Sequence, residues 1–151
     1  MQLTRGAEYA IRAVLDLTVN HSGPENGKVQ LKDIAARMDI PEDFLAKIFQ
    51  MLNRSKIIKS YRGTKGGYSL ARDPKDINLK DVIYAVDGPI KLNKCMAYED
   101  CSESKSCRHK PKCPVHDVWR QAQESLVKIL GEASFNTLHE RMNHKSAALA
   151  V

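Results

Sequence analysis

Between residues 31 and 71 the sequence makes two short helical patterns meet at a tight turn and then gives way to a glycine-rich hairpin. This succession limits the possible folds more than any other feature of the chain. Leu31, Ile34, Ala35 and Met38 recur at helical spacing. Asp39-Ile40 form a turn, and Pro41 opens a third helix, where its missing N–H costs little. That helix is expected to turn Phe44, Leu45, Ile48, Phe49 and Leu52 inward and Asp43, Lys47, Gln50 and Arg54 outward. Two helices so joined, the second more basic, match a helix-turn-helix, although any small helical bundle contains helix pairs. The next segment is more specific. Residues 57–61 read as a strand, 62–67 (RGTKGG) as a turn and 68–71 as the return strand. A hairpin with Arg62, Gly63, Thr64 and Lys65 at its tip is a wing, with basic side chains able to reach phosphate or a minor groove.

Charge supports this reading. Residues 46–75 hold eight basic side chains against one acidic, a net of +7 where the whole chain has +6. Such a concentration on a helix-turn-helix and wing is an electrostatic footprint for double-stranded DNA. Upstream, residues 4–20 read as a helix capped by Thr4, with Ala7, Ala10, Ile11, Val14, Leu15 and Thr18 on one face. HSGPENGK interrupts it. Downstream, residues 78–87 form a helix capped by Asn78, stopped at Gly88-Pro89 and expected to close the winged unit.

All four cysteines lie in one polar loop, at Cys95, Cys101, Cys107 and Cys113, with five residues between successive members. Their neighbours offer little to bury, so they are there for sulphur chemistry and not for packing. Disulfides fit poorly, because a chain of 151 residues can bury a core without staples and nothing marks it as secreted. Zinc sites use closer pairs of cysteines. An iron–sulphur cluster accommodates well-separated ligands, and Lys105, Arg108, Lys110 and Lys112 would favour thiolates and offset the cluster's charge. His116, three residues past Cys113, could donate a nitrogen. His109 reads as a loop histidine, and His21, His139 and His144 as surface residues. No CxxC and no nucleophile–base pair is visible, so the chain is not expected to be an enzyme.

After Pro114 comes a long helix with Val115, Val118, Trp119, Ala122, Leu126, Ile129 and Leu130 as an apolar stripe. Pairing with a second copy is the expected use; the alternative, folding back on the first helix, would bury Trp119. Phe135 to Met142 form a short last helix, followed by a frayed tail. The expected fold is thus mainly α with a small β wing. It divides into a winged helix-turn-helix domain (1–90), a cysteine-rich loop (91–114), a dimerisation helix with a C-terminal helix (115–143) and a disordered tail (144–151). No apolar run is long enough for a bilayer and the N-terminus lacks a signal peptide's apolar region, so a cytoplasmic protein without membrane contact is expected.

LTRGAEYAIRAVLDL, IAARMDIPEDFLAKIFQML, RGTKGGYSLARD, VIYAVDG and CPVHDVW together resemble the IscR/NsrR type of winged-helix bacterial transcription regulators over nearly the whole chain. The resemblance implies a homodimer whose DNA affinity follows the presence or oxidation state of an iron–sulphur cluster. In the IscR-like register Cys101, Cys107, Cys113 and His116 are ligands, Trp119 follows, and Cys95 is an extra thiol. In the NsrR-like register Cys95, Cys101 and Cys107 are the trio, and Glu8 stands where a carboxylate ligand is drawn from the N-terminus. Four cysteines could also hold a cluster alone. A [2Fe–2S] cluster is expected in preference to [4Fe–4S]. Glu8 otherwise reads as a surface glutamate near the positive end of its helix. Ala46 replaces a glutamate of IscR-like members on the face that reads bases. The alternative function is a zinc- or thiol-based interaction module that uses the winged fold without reading DNA.

Overall fold

The computed structural model describes residues 2–21, 27–63, 66–93 and 113–149, the side chains of 145–149 excepted. Six α-helices and one hairpin follow in the order α1 (Arg5–Val19), α2 (Leu31–Met38), α3 (Glu42–Arg54), β1 (Ile58–Tyr61), β2 (Gly67–Leu70), a 3-10 turn at Pro74–Asp76, α4 (Leu79–Asp87), α5 (His116–Glu132) and α6 (Phe135–Leu149).

The first helix is the centre of the packing. Ala7, Ala10 and Ala13 are fully buried on it, and side chains this small let α2, α3, α4 and α6 approach closely. Val14 and Leu17 complete its buried face, while Ile11 and Leu15 pack at the margin of the core. The inward face is therefore rotated from the one the spacing suggested. Thr4 caps α1 as expected, its hydroxyl accepting from the Ala7 N–H at 3.2 Å. Its own N–H donates to Asp87 at 3.1 Å, which ties the start of α1 to the end of α4.

The turn between α2 and α3 is made by Asp39 in the left-handed region (φ 53°), a conformation its short polar side chain tolerates. Pro41 is the cap of α3 and not its first helical residue. Leu45, Ile48, Phe49 and Leu52 are buried as expected. Phe44 is not: it is 43% exposed and leans edge-on against Tyr9 of α1, with centroids 5.8 Å apart. Asn78 caps α4 through Asp81 N–H at 2.9 Å, and Gly88 ends it with φ 77°.

The last two helices divide the roles that the sequence left open. α5 packs along α4 and has no buried residue; Trp119 is 43% exposed, so this helix does not fold back on α1. α6 does. Its first residue, Phe135, is fully buried in the same core cluster as Leu45, Phe49 and Ile77. Phe135 N–H donates to Ile77 O at 2.9 Å, and Leu79 N–H to Ala133 O at 3.1 Å. Residues 1–90 therefore share their core with the C-terminal helix. α6 also runs on to Leu149, well past Met142, so most of the segment expected as a disordered tail is helical.

Candidate nucleic-acid interface and metal site

Asp43, Lys47, Gln50 and Arg54 are all exposed and fall at helical spacing along α3, opposite the buried face that anchors it. The core fixes the helix through Leu45, Ile48 and Leu52, so this outward stripe is held at a constant height and rotation. Ala46 is half-buried at its margin. A second support is the ion pair beneath the turn. Arg37 of α2 donates from Nε and Nη2 to the two oxygens of the buried Asp16 on α1, at 2.8 and 2.7 Å. That hydrogen-bonded carboxylate holds the guanidinium's pKa above its ordinary value, against a smaller opposing effect of burial.

The wing is an antiparallel pair in which Ile58 faces Leu70 and Tyr61 faces Gly67. Its inner face is pinned by Tyr68, edge-on to Phe49 of α3 at 4.7 Å. Val29 exchanges two backbone hydrogen bonds with Tyr68, both 2.9 Å, which adds a third edge to the sheet. A Cβ on Gly67 would lie 2.9 Å from Val29 O, and its φ of 150° is one that side chains avoid, so only glycine fits. Gln30 donates to Gly66 O and so ties the wing turn to the start of α2. Arg62 and Gly63 are exposed at the tip, with Gly63 at φ 98°; Thr64 and Lys65 lie outside the described residues.

Of the candidate ligands, Cys95, Cys101 and Cys107 lie outside the described residues, as do His109 and the basic residues between them. Cys113 is a half-buried free thiol. His116 opens α5, and its N–H donates to Cys113 O at 3.2 Å, which places both residues on one turn. Its Nε2 is buried and has no hydrogen-bond partner among the described residues. Nδ1 lies 3.9 Å from Asp117. Glu8 is exposed in the first turn of α1. No group of three or more His, Cys, Asp or Glu able to hold a metal occurs among the described residues. His139, expected at the surface, is half-buried: Nδ1 is without a partner among the described residues and Nε2 meets Asn143 at 3.3 Å. Sequence reading also missed Gln123 of α5, which accepts the Leu92 N–H at 3.1 Å where the cysteine loop departs.

Residues 3–141 match the Rrf2 family model, described as an iron-dependent transcriptional regulator. The chain belongs to the Rrf2 family. It is 34% identical over 138 residues to the HTH-type transcriptional regulator IscR of Xenorhabdus nematophila, covering 91% of this chain and 79% of that one. With IscR of Klebsiella pneumoniae it shares 33% identity over 145 residues, 96% and 82% of the two chains. Among solved structures, T. potens IscR superposes with a TM-score of 0.68 at 25% identity, over 97% of this chain and 90% of that one. CymR, the global cysteine regulator of B. subtilis, gives a TM-score of 0.72 at 21% identity, over 93% and 98%, a likeness of fold alone. This Rrf2 chain is thus a winged-helix transcription regulator and not an enzyme. Among its described residues no helix is long and apolar enough to cross a membrane.

Proposed function

We propose that this Rrf2 regulator acts in the cytoplasm as a homodimer whose promoter binding is set by an iron–sulphur cluster in the 95–113 loop. The observation that carries the reading is His116 Nε2, buried and without a hydrogen-bond partner among the described residues, one turn from the Cys113 thiol. A buried ring nitrogen without a partner loses its hydration and gains nothing in return, unless a ligand occupies it. With Cys101 and Cys107 this is a thiolate and imidazole donor set of the kind iron–sulphur centres use, and histidine ligation favours [2Fe–2S]. Cys95 is then a spare thiol, and Glu8 serves only if the histidine does not. When bound, the cluster supplies a charge and a redox state that can change. This chain's own residues supply the rest: His116 opens α5 one turn after Cys113, and α5 lies along α4, which is tied to the reading unit through Asp87 and Thr4.

The dimer reading is supported by α5. Val118 and Ile129 are each 63% exposed, with Val115 and Trp119 also open, which is the stripe a second copy would cover. Two reading units so joined would meet two half-sites of a palindromic operator.

Anaerobic purification with an absorption spectrum and iron and sulphide counts tests the cluster. A brown protein is expected that keeps its colour in Cys95→Ser and loses or shifts it in His116→Ala. Bleaching by Cys95→Ser with an unchanged His116→Ala would move the fourth bond to the thiol. A colourless protein with stoichiometric zinc, or full colour in Cys107→Ser, would overturn the reading.

A further inference from the structure

The outer face of the wing carries two cations that neither α3 nor the wing tip accounts for. Val29 pairs with Tyr68, whose ring faces Phe49 and the core, so strand alternation sends its neighbour Lys28 to the opposite side of the sheet. Lys59 and Tyr61 of β1 share that outer side, because Ile58 between β1 and the core faces inward. There the Lys28 ammonium lies 4.4 Å from the centroid of the Tyr61 ring, and the Lys59 ammonium 5.4 Å from the same centroid. Ser69 meets the Tyr61 hydroxyl at 3.4 Å.

This arrangement is electrostatically incomplete. A ring face attracts a cation by about 0.5–1 kcal/mol at an exposed site, which orients the ammonium without neutralising it. Two ammonium groups converging on one ring also repel each other. Among the described residues neither lysine makes an ion pair, whereas Arg37, Arg72, Arg120 and Lys128 each face a carboxylate. The positive charge is held in place and left for an anion.

We propose that Lys28, Lys59 and Tyr61 form a second phosphate-contact surface, which grips the DNA backbone on the side of the wing away from α3. The inference rests on DNA binding by this chain and is independent of the cluster. The phosphodiester backbone is favoured over an acidic protein because Tyr61 leads directly into Arg62 at the wing tip, so duplex reached by the tip passes beside this face. Lysine meets phosphate as a point charge, a contact that positions the protein and reads no sequence, and the Tyr61 ring orients both ammonium groups for it. Gln30, holding Gly66 from the strand edge that carries Lys28, keeps the second surface at a fixed distance from the tip.

Fluorescence anisotropy of the full chain tests this with two labelled duplexes, one of mixed sequence and one selected by the wild type from a random pool. Lys28→Gln and Lys59→Gln are each expected to lower the slope of log K against log salt by about one unit. The double variant is expected to lower it by about two, with affinity falling by a similar factor on both duplexes. Lys128→Gln on α5 is the control and leaves both unchanged, and circular dichroism checks that each variant is folded. A double variant with wild-type slope and affinity overturns the proposal, and is also the result if this face meets an acidic protein instead. Loss confined to the selected duplex would mean base reading and overturns it too. A wild type that binds neither duplex would fail DNA binding itself, a result distinct from both.

Discussion

Single side chains set the precision of the reading unit. Asp16 is buried on α1 and satisfied by Arg37, which is itself 44% exposed. Arg37→Ala strands that carboxylate, and a loss of about 2 kcal/mol is expected in urea unfolding. Arg37→Lys should recover only part of it, because an ammonium lacks the planar fork that matches the two carboxylate oxygens. At Gly67 the fault would be steric. Gly67→Ala drives a Cβ against the Val29 carbonyl, so stability should fall by about 1–3 kcal/mol and wing-dependent DNA affinity with it, measurable by melting and anisotropy together. Arg62→Ala should lower the salt slope by about one unit, while Lys47 and Gln50 variants should change which duplex is preferred. The caps at Thr4 and Asn78 were readable from sequence because they act within one turn. Phe44 was misread for the opposite reason. Helical spacing puts it on the edge of the apolar stripe, and the ring it leans on, Tyr9, is far away in the chain. Lys28 was overlooked because nothing local says that residues 28–30 form a sheet edge.

At the scale of elements, α5 is the helix without an inside. Its stripe was legible as a period in the sequence, and the structure leaves Val115, Val118, Trp119 and Ile129 exposed while Leu126 and Leu130 are half-buried. Changing Leu126 and Ile129 to lysine should give monomers by sedimentation with helicity retained, since Ile129 is exposed in one chain and a charge there would be buried only in a seam between copies. Monomeric wild type at micromolar concentration would refute the pairing. Gln123 on the same helix holds the departure of the cysteine loop through the Leu92 N–H. One such bond is worth about 1 kcal/mol, so Gln123→Ala should release iron to a chelator about fivefold faster. Gln123→Glu, which keeps the acceptor, should behave as wild type. Equal release from all three would show that the loop is not anchored there.

The whole molecule closes on Phe135. Elements and their order were readable from periodicity and turn residues, but core membership was not, because it depends on contacts between segments far apart in sequence. Ile77, Leu79, Ala133 and Phe135 are joined by backbone bonds that no local pattern announces. Phe135→Ala should cost about 3–5 kcal/mol, and residues 1–90 alone should show no cooperative unfolding transition. The same closure has a meaning for biosynthesis. The chain emerges from its N-terminus at roughly 5–20 residues per second, so all four cysteines are made about one to four seconds before Phe135 can seal the core. During that interval the thiols belong to an unfinished protein. Any ligand those thiols take in that interval would be taken by a chain whose core is still open.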